Sequence, residues 1–352
     1  MSGDVLFNRE GSTGRITLDR PRALHSLTTE MCEAIGQALI GWREDADVEA
    51  VVIDHTGDRG FCAGGDVVAV RRSSLEDDGQ AGRAFFMAEY RMNHLLFTYP
   101  KPVIAFMDGV TMGGGVGLAM PADFRVATEN TLFAMPEGAI GLFPDVGAGH
   151  YLPRLPGHVG KFLALTGVRL DAGECLWAGI ATHYLDSEDL AEAKELIAGE
   201  PGAAGEILSD LSTNPPPARI ANNAERIDRL FAGDTLEQIV AALQADSSDW
   251  AAKELRAVRA KCPTTAKVAL RLFAQNAALP DFAAEMEREY RLAARMIMRH
   301  DFRDGVRAVL VDKDGAPRWK PAQPAEVTEA MLDDLFAPLP DGEEWTPLPH
   351  GV

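Results

Sequence analysis

The stretch KPVIAFMDGVTMGGGVGLAMPADFRVATENTLFAMPEGAIGLFPDVGAGHYLP, Lys101 to Pro153, organises the chain. Val103 to Met107 reads as a short apolar β run, closed by the turn pair Asp108-Gly109. Gly113, Gly114 and Gly115 then lead into Val116-Gly117-Leu118-Ala119-Met120, a helix start. Three glycines in a row let the backbone approach a ligand with no Cβ in the way. The first N–H groups of a helix have no intrahelical partner and carry its positive dipole end. Strand, glycine turn and helix start together suit developing negative charge. Downstream, Glu137 follows Pro136, and Asp145 stands between Pro144 and Val146-Gly147. Two acids in an otherwise apolar, turn-rich segment read as placed for chemistry, and equally as a loop cap or half of a salt bridge.

Working outward, Val5 to Phe7 and Arg15 to Leu18 read as a hairpin turning at Gly11–Gly14. A helix capped by Thr28 or Thr29 follows, with Met31, Ile35, Leu39 and Trp42 on its core face. Val48 to Asp54 is a strand buried on both sides. After it comes a second glycine turn, GDRGFCAGGDV, containing Gly64 and Gly65, with Asp66 as a helix cap. Arg83 to Phe97 is helical, with Phe86, Tyr90, His94 and Phe97 near one stripe and Glu89 beside it. Helices near 160–165 and 171–178, then a strand at Ala181 to Tyr184, complete an α/β alternation.

Past residue 185 the pattern changes. Ser187 to Glu200 is an acidic helix, and Pro201-Gly202 and Asn214 to Pro217 are breaks. Residues 218–261 read as short helices. A last helical region starts near Cys262 with Thr264 as cap, and Phe282, Met286, Tyr290, Ala293 and Ile297 form an apolar stripe. The stretch from PRWKPAQPAEV through PLPDGEEWTPLP is Pro-rich and extended.

The chain has 352 residues, 46% apolar and 25% charged, as in soluble globular proteins. Its net charge of −19 argues against nucleic acid and against a polybasic membrane anchor. No apolar run approaches the ~18–20 residues of a membrane span. Four cysteines without a C-x-x-C pair suit reduced thiols. With no signal-peptide h-region, the expectation is a soluble, cytoplasmic protein. P-loop, G-x-G-x-x-G, H-E-x-x-H and G-x-S-x-G patterns are absent. Cys62 could be a nucleophile, but a small buried filler is the better reading. If the strands before Gly64-Gly65 and Gly113 to Gly115 are neighbours, two backbone N–H groups can converge on one carbonyl oxygen. Tight turns in a glycine-rich α/β protein would read the same way.

F-C-A-G-G-D (61–66) and T-M-G-G-G-V-G-L (111–118) resemble the two oxyanion-loop signatures of the crotonase, or enoyl-CoA hydratase/isomerase, superfamily. FAMPEGAIGLFPDVGAGHYLPRLPG (133–157), LALTGVRL (163–170), AGIATHYLDS (178–187) and HDFRDGVRAVLVDKDGAPRWKP (300–321) are similar to its 3-hydroxyisobutyryl-CoA hydrolase branch. The resemblance implies an α/β fold, a crotonase-like spiral of ββα units with a C-terminal helical region. The expected division is a spiral core with the site at 1–200, a helical insertion at 201–261, and C-terminal helices with an extended tail at 262–352.

The resemblance further implies that the N–H groups of Gly65 and Gly114 hold a thioester carbonyl, that Glu137 and Asp145 are the acidic pair, and that Glu89 contacts substrate. Hydratases carry one glutamate where this chain has Gly117, a second at the position of Glu137, and usually Gly at that of Asp145. That departure favours hydrolysis over hydration. An enoyl-CoA hydratase/isomerase is the rival reading, and an inactive CoA-binding scaffold the rival of another class. No metal or redox cofactor is implied, since CoA arrives with the acyl-CoA substrate. Arg22, Lys313 and Arg318 are candidate phosphate contacts. A homo-oligomer, a trimer or its multiple, would suit the resemblance, with the C-terminal stripe as one contact surface or else packed within the chain.

Overall fold

In the computed structural model, which describes residues 3–276 and 278–348, β1 (Val5–Glu10) and β2 (Thr13–Leu18) form the antiparallel N-terminal hairpin. Pro349, the end of the Pro-rich stretch quoted above, lies outside those residues. The hairpin turn is tighter than the sequence reading, because Thr13 and Gly14 pair with Glu10 and Arg9. The remaining strands are β3 (Ala50–His55), β4 (Val103–Met107), β5 (Val110–Met112), β6 (Phe124–Ala127), β7 (Leu132–Ala134) and β8 (His183–Tyr184). The main sheet runs β1-β2-β3-β4-β6-β8, parallel from β2 onward. β5 and β7 pair in parallel as a second, smaller sheet. Single bridges extend its edges, Cys62 to Thr111 on one side and Phe133 to Leu170 on the other.

Successive residues of β3 and β4 serve opposite faces, as strand geometry requires. Val51, Ile53, Val103, Ala105 and Met107 enter the main core, while Val52, Ile104 and Phe106 enter a smaller one behind the sheet. That rear face is covered by the helices Leu190–Gly199 and Ala204–Leu211 through Leu190, Ala193, Ile197 and Leu208. Apolar residues from the 201–261 helices, among them Ile220, Phe231 and Ile239, belong to the same main core as the spiral. Thr28 caps the helix Thr29–Glu44, and Asp66 caps Val67–Glu76 by accepting from Ala69 N at 3.2 Å.

One reading needs correction and one open alternative is decided. Thr264 is not a cap: the helix Pro263–Asn276 already begins one residue earlier, with proline in its first turn, and the Thr264 hydroxyl has no partner. The C-terminal stripe is spent within the chain. Phe282, Met286, Tyr290, Ala293 and Ile297 are all buried in the main core, where Phe282–Met296 packs against Gln80–Phe97. The Pro-rich tail is also less loose than its composition implies, since it contains the helix Glu329–Phe336 and buries Trp345.

Asp54 ties the sheet to its rear helix. Its carboxylate, 2% exposed, meets Arg15 Nη2 at 2.7 Å, Lys194 Nζ at 2.9 Å and Thr17 Oγ1 at 2.8 Å. Burial pushes this carboxyl up, but the Arg15 and Lys194 charges outweigh it and hold it below the ordinary range. A depressed carboxylate pKa stabilises the fold above the unfolded value of ~3.9, and that contribution is lost as pH falls through the folded value. Asp54→Asn leaves two cations facing a neutral amide. It should lower the urea-unfolding free energy by about 3 kcal/mol at pH 7 and by less near pH 3. An unchanged midpoint at pH 7 would remove Asp54 as the link.

Candidate active site

The two glycine turns meet because their flanking backbone is bridged. Cys62 N donates to Val110 O at 2.9 Å, and Met112 N donates to Cys62 O at 2.9 Å. The Cys62 side chain is itself fully buried, and burial pushes its thiol up to about 12, so it is a filler and not a nucleophile. Gly64 has φ +113 and Gly113 has φ +48 with ψ −120, conformations that a side chain would strain. A Cβ on Gly64 would stand 3.6 Å from Gly114 N, and one on Gly113 3.3 Å from Gly64 Cα, so the turns lie side by side with little room between them. The amides of Gly65 and Gly114 donate to no carbonyl among the described residues, and both glycines line one cavity of about 420 Å³. Gly114 begins the helix Gly114–Ala119.

Glu89, Glu137 and Asp145 line the same cavity, brought there by three separate elements. Glu89 comes from the middle of Gln80–Phe97. Its Oε1 has no hydrogen-bond partner and lies so close to Gly114 that a Cβ there would overlap it. Glu137 opens a 3₁₀ turn after β7, Glu137–Ala139, whose carbonyl accepts from Ile140 N and Leu142 N at 2.9 and 3.1 Å. Its Oε2 is unpartnered, and its Oε1 approaches Gly113. Asp145 accepts a 2.7 Å hydrogen bond on Oδ2 from Tyr90 OH. Much of the remaining wall is apolar, including Leu24, Phe85, Ile140, Leu142 and, on the exposed side, Val309 and Leu310.

Burial is the main force on all three acids. It drives Glu89 well above the carboxylate range, with Asp145 and Glu137 adding repulsion. Glu137 also goes well above, by burial and by Asp145, against a smaller pull from Lys261. Asp145 is pushed up to about 7, moderated by the Tyr90 hydrogen bond. Three carboxyls in one dry pocket cannot all ionise, so the site holds protons at neutral pH.

Position 117 has no room for an acid. A Cβ there would lie 2.6 Å from Asn93 Nδ2 and 2.8 Å from Val146 Cβ. Asn93, fully buried, instead donates from Nδ2 to Gly117 O at 3.0 Å. Arg22, Lys313 and Arg318 do not line the cavity, whereas Arg169, which no sequence motif singles out, does. Helical spacing assigns Tyr90 to a packing stripe. Its one available signal is adjacency to Glu89, and nothing local shows that its hydroxyl reaches a residue 55 positions on.

A family model described as enoyl-CoA hydratase/isomerase matches residues 13–336. The chain is 43% identical over 351 residues to the Gallus gallus protein named 3-hydroxyisobutyryl-CoA hydrolase, mitochondrial, covering 96% of this chain and 90% of that one. The Homo sapiens protein of the same name is 41% identical over 345 residues, covering 96% and 89%. Among solved structures, a carnitinyl-CoA dehydratase from Mycobacterium thermoresistibile superposes with TM-score 0.92 at 37% identity, covering 98% of this chain and 99% of that one. An enoyl-CoA hydratase from Rhodobacter sphaeroides 2.4.1 superposes with TM-score 0.89 at 39% identity, covering 98% and 100%.

Tyr90→Phe removes the hydrogen bond that restrains Asp145 and should move its titration upward from about 7. In the pH profile of kcat/KM, which reports free-enzyme groups, the corresponding midpoint should rise. A midpoint that stays or falls would show that Tyr90 does not set this carboxyl.

Proposed function

Since the chain belongs to the enoyl-CoA hydratase/isomerase family, we propose that it uses that family's fold to cleave a thioester, hydrolysing 3-hydroxyisobutyryl-CoA to 3-hydroxyisobutyrate and CoA, a step of valine breakdown. Relatives with this named activity, at 41–43% identity over 96% of the chain, support the reading. So does the acid pair Glu137 and Asp145 lining one cavity with the free amides of Gly65 and Gly114. That convergence is the observation that carries the mechanism.

Attack on a thioester carbonyl places negative charge on its oxygen. The Gly65 and Gly114 amides form the oxyanion hole, each lowering the barrier by about 2.7–4 kcal/mol. Water supplies the new C–O bond, the C–S bond breaks, and the proton released by water ends on the departing sulfur. Glu137 takes that proton as general base, or attacks first as nucleophile to give a mixed anhydride that water then opens. Asp145 protonates the thiolate or orients the substrate hydroxyl, and Glu89 contacts the acyl end. With one proton shared by Glu137 and Asp145, moving it from the first to the second creates the base and the acid the reaction needs.

Hydration, the activity for which the Rhodobacter protein is named, needs separately placed groups for water and for the α-carbon. Asn93 and Val146 fill the space at position 117 in which the other glutamate of hydratases would start. In this reading the acyl end enters the largely apolar cavity, whose wall also carries the cation Arg169. The curated relatives are named mitochondrial; for this chain a cytoplasmic setting is proposed, supported by four free, buried cysteines. No helix among the described residues is long and apolar enough to cross a membrane.

Incubation with 3-hydroxyisobutyryl-CoA should release free thiol, and crotonyl-CoA should keep its enoyl absorbance; the reverse pattern establishes the hydratase. Glu137→Gln should cut kcat by roughly 10²–10⁴-fold while KM changes less than about threefold. Undiminished turnover by this variant would remove Glu137 from the chemistry.

A further inference from the structure

Two glutamates outside the proposed chemistry are buried beneath the Asp145 turn. Glu285 and Glu289 stand one helical turn apart on Phe282–Met296, 2% and 0% exposed. Like charges at this spacing repel, and burial makes each more costly. A helix that only had to pack would carry apolar residues here. Glu285 accepts from no N–H group among the described residues, but its carboxyl shares a side-chain hydrogen bond with that of Glu289. Glu289 does: Oε2 accepts the N–H of Gly147 at 2.8 Å, and Oε1 accepts that of Gly149 at 3.4 Å.

Those amides belong to the turn directly after Asp145. Val146 sits at φ +54 and Gly147 at φ +91, left-handed backbone that strains a β-branched residue. Gly149 is kept small for the same arrangement, since a Cβ would overlap Asn276 Nδ2 and Glu285 Oε1. Asp145 is thus held from two helices. Tyr90 fixes its side chain, and Glu289 fixes the backbone that follows it. A glutamine could not replace the carboxylate, because its NH₂ would face one of the two amide N–H groups.

We propose that Glu289 is a positioning residue of the hydrolase, its carboxylate clamping the strained turn at Val146-Gly147 and so fixing where the Asp145 carboxyl meets the substrate. The inference rests on the thioesterase reading above, which thiol release by the unaltered protein tests separately.

Glu289→Gln should lower kcat by roughly 10–100-fold, the scale of an ångström-level misplacement, with KM within about threefold. Glu285→Gln, which reaches the turn only through its hydrogen bond to Glu289, should lower kcat by less than Glu289→Gln does. The decisive measurement is a double-mutant cycle. In an Asp145→Asn background, Glu289→Gln should cost less than about twofold further, because the group it positions is gone. Full multiplication of the two losses, or a Glu289→Gln kcat within twofold of the unaltered protein, overturns the proposal. Glu289→Asp retracts the carboxyl by one methylene yet keeps both oxygens, and should show the same loss and the same non-additivity. If neither Glu289 variant folds, the residue is structural and the positioning role is refuted.

Discussion

Two backbone hydrogen bonds, from Cys62 N to Val110 O and from Met112 N to Cys62 O, place one glycine turn on the other. The placing of Gly65 and Gly114 on one cavity depends on that bridge. The first turn follows β3 and the second follows its parallel neighbour β4 by way of β5, so both leave the main sheet on the same edge. Proximity alone would leave them separate. The bridge sets their register, and Gly64 and Gly113, both in conformations closed to side chains, let the backbones touch. Position 65 is constrained as well, since a Cβ would come within 2.5 Å of the Phe85 ring. Two amides directed into a cavity cost no side-chain entropy and undergo no reorganisation during reaction, which is where preorganised donors gain over water.

The acids pose the opposite problem. Each is unfavourable to bury as a charge, and the structure places several within one region: Glu89, Glu137 and Asp145 in the cavity, Glu285 and Glu289 behind it. The pKa shifts are the consequence of that crowding. What keeps it tolerable is that the groups need not ionise together. Glu289 is driven well above the carboxylate range by burial and by Glu285, and Glu285 is pushed up to about 7, chiefly by burial. In the cavity, neutral acids become proton stores on which a hydrolysis moving one proton from water to sulfur can draw, whereas a proton shared by Glu285 and Glu289 lets that pair hold Gly147 without two buried charges.

Legibility in the sequence divides along the same line. Gly65, Gly114, Glu137 and Asp145 sit in contiguous motifs, where local composition already limits what the backbone can do. The strands around them are also readable, from short apolar runs bounded by turns. Tyr90 and Glu289 are not, because each acts on a segment distant in sequence, and both occupy positions that helical spacing assigns to packing. An acid on the face of Phe282–Met296 that also carries Met286 and Tyr290 is the one available sign, since a buried stripe has no general use for a carboxylate. Thr264 misleads for a local reason: a proline can start a helix one residue before the hydroxyl that would have capped it.

Gly117 shows what the structure adds to a sequence difference. A glycine where related hydratases carry glutamate could be a recent loss in a site otherwise ready for hydration. The packing argues against that. Asn93 holds the Gly117 carbonyl, and Val146 closes the other side. Val146 belongs to the turn that Asp145 begins and Glu289 clamps. The acid typical of hydrolases and the exclusion of the acid typical of hydratases are therefore products of one turn. Returning a glutamate to position 117 would require moving that turn, and with it Asp145. On this geometry the two acid arrangements compete for the same space, and the chain is committed to one of them.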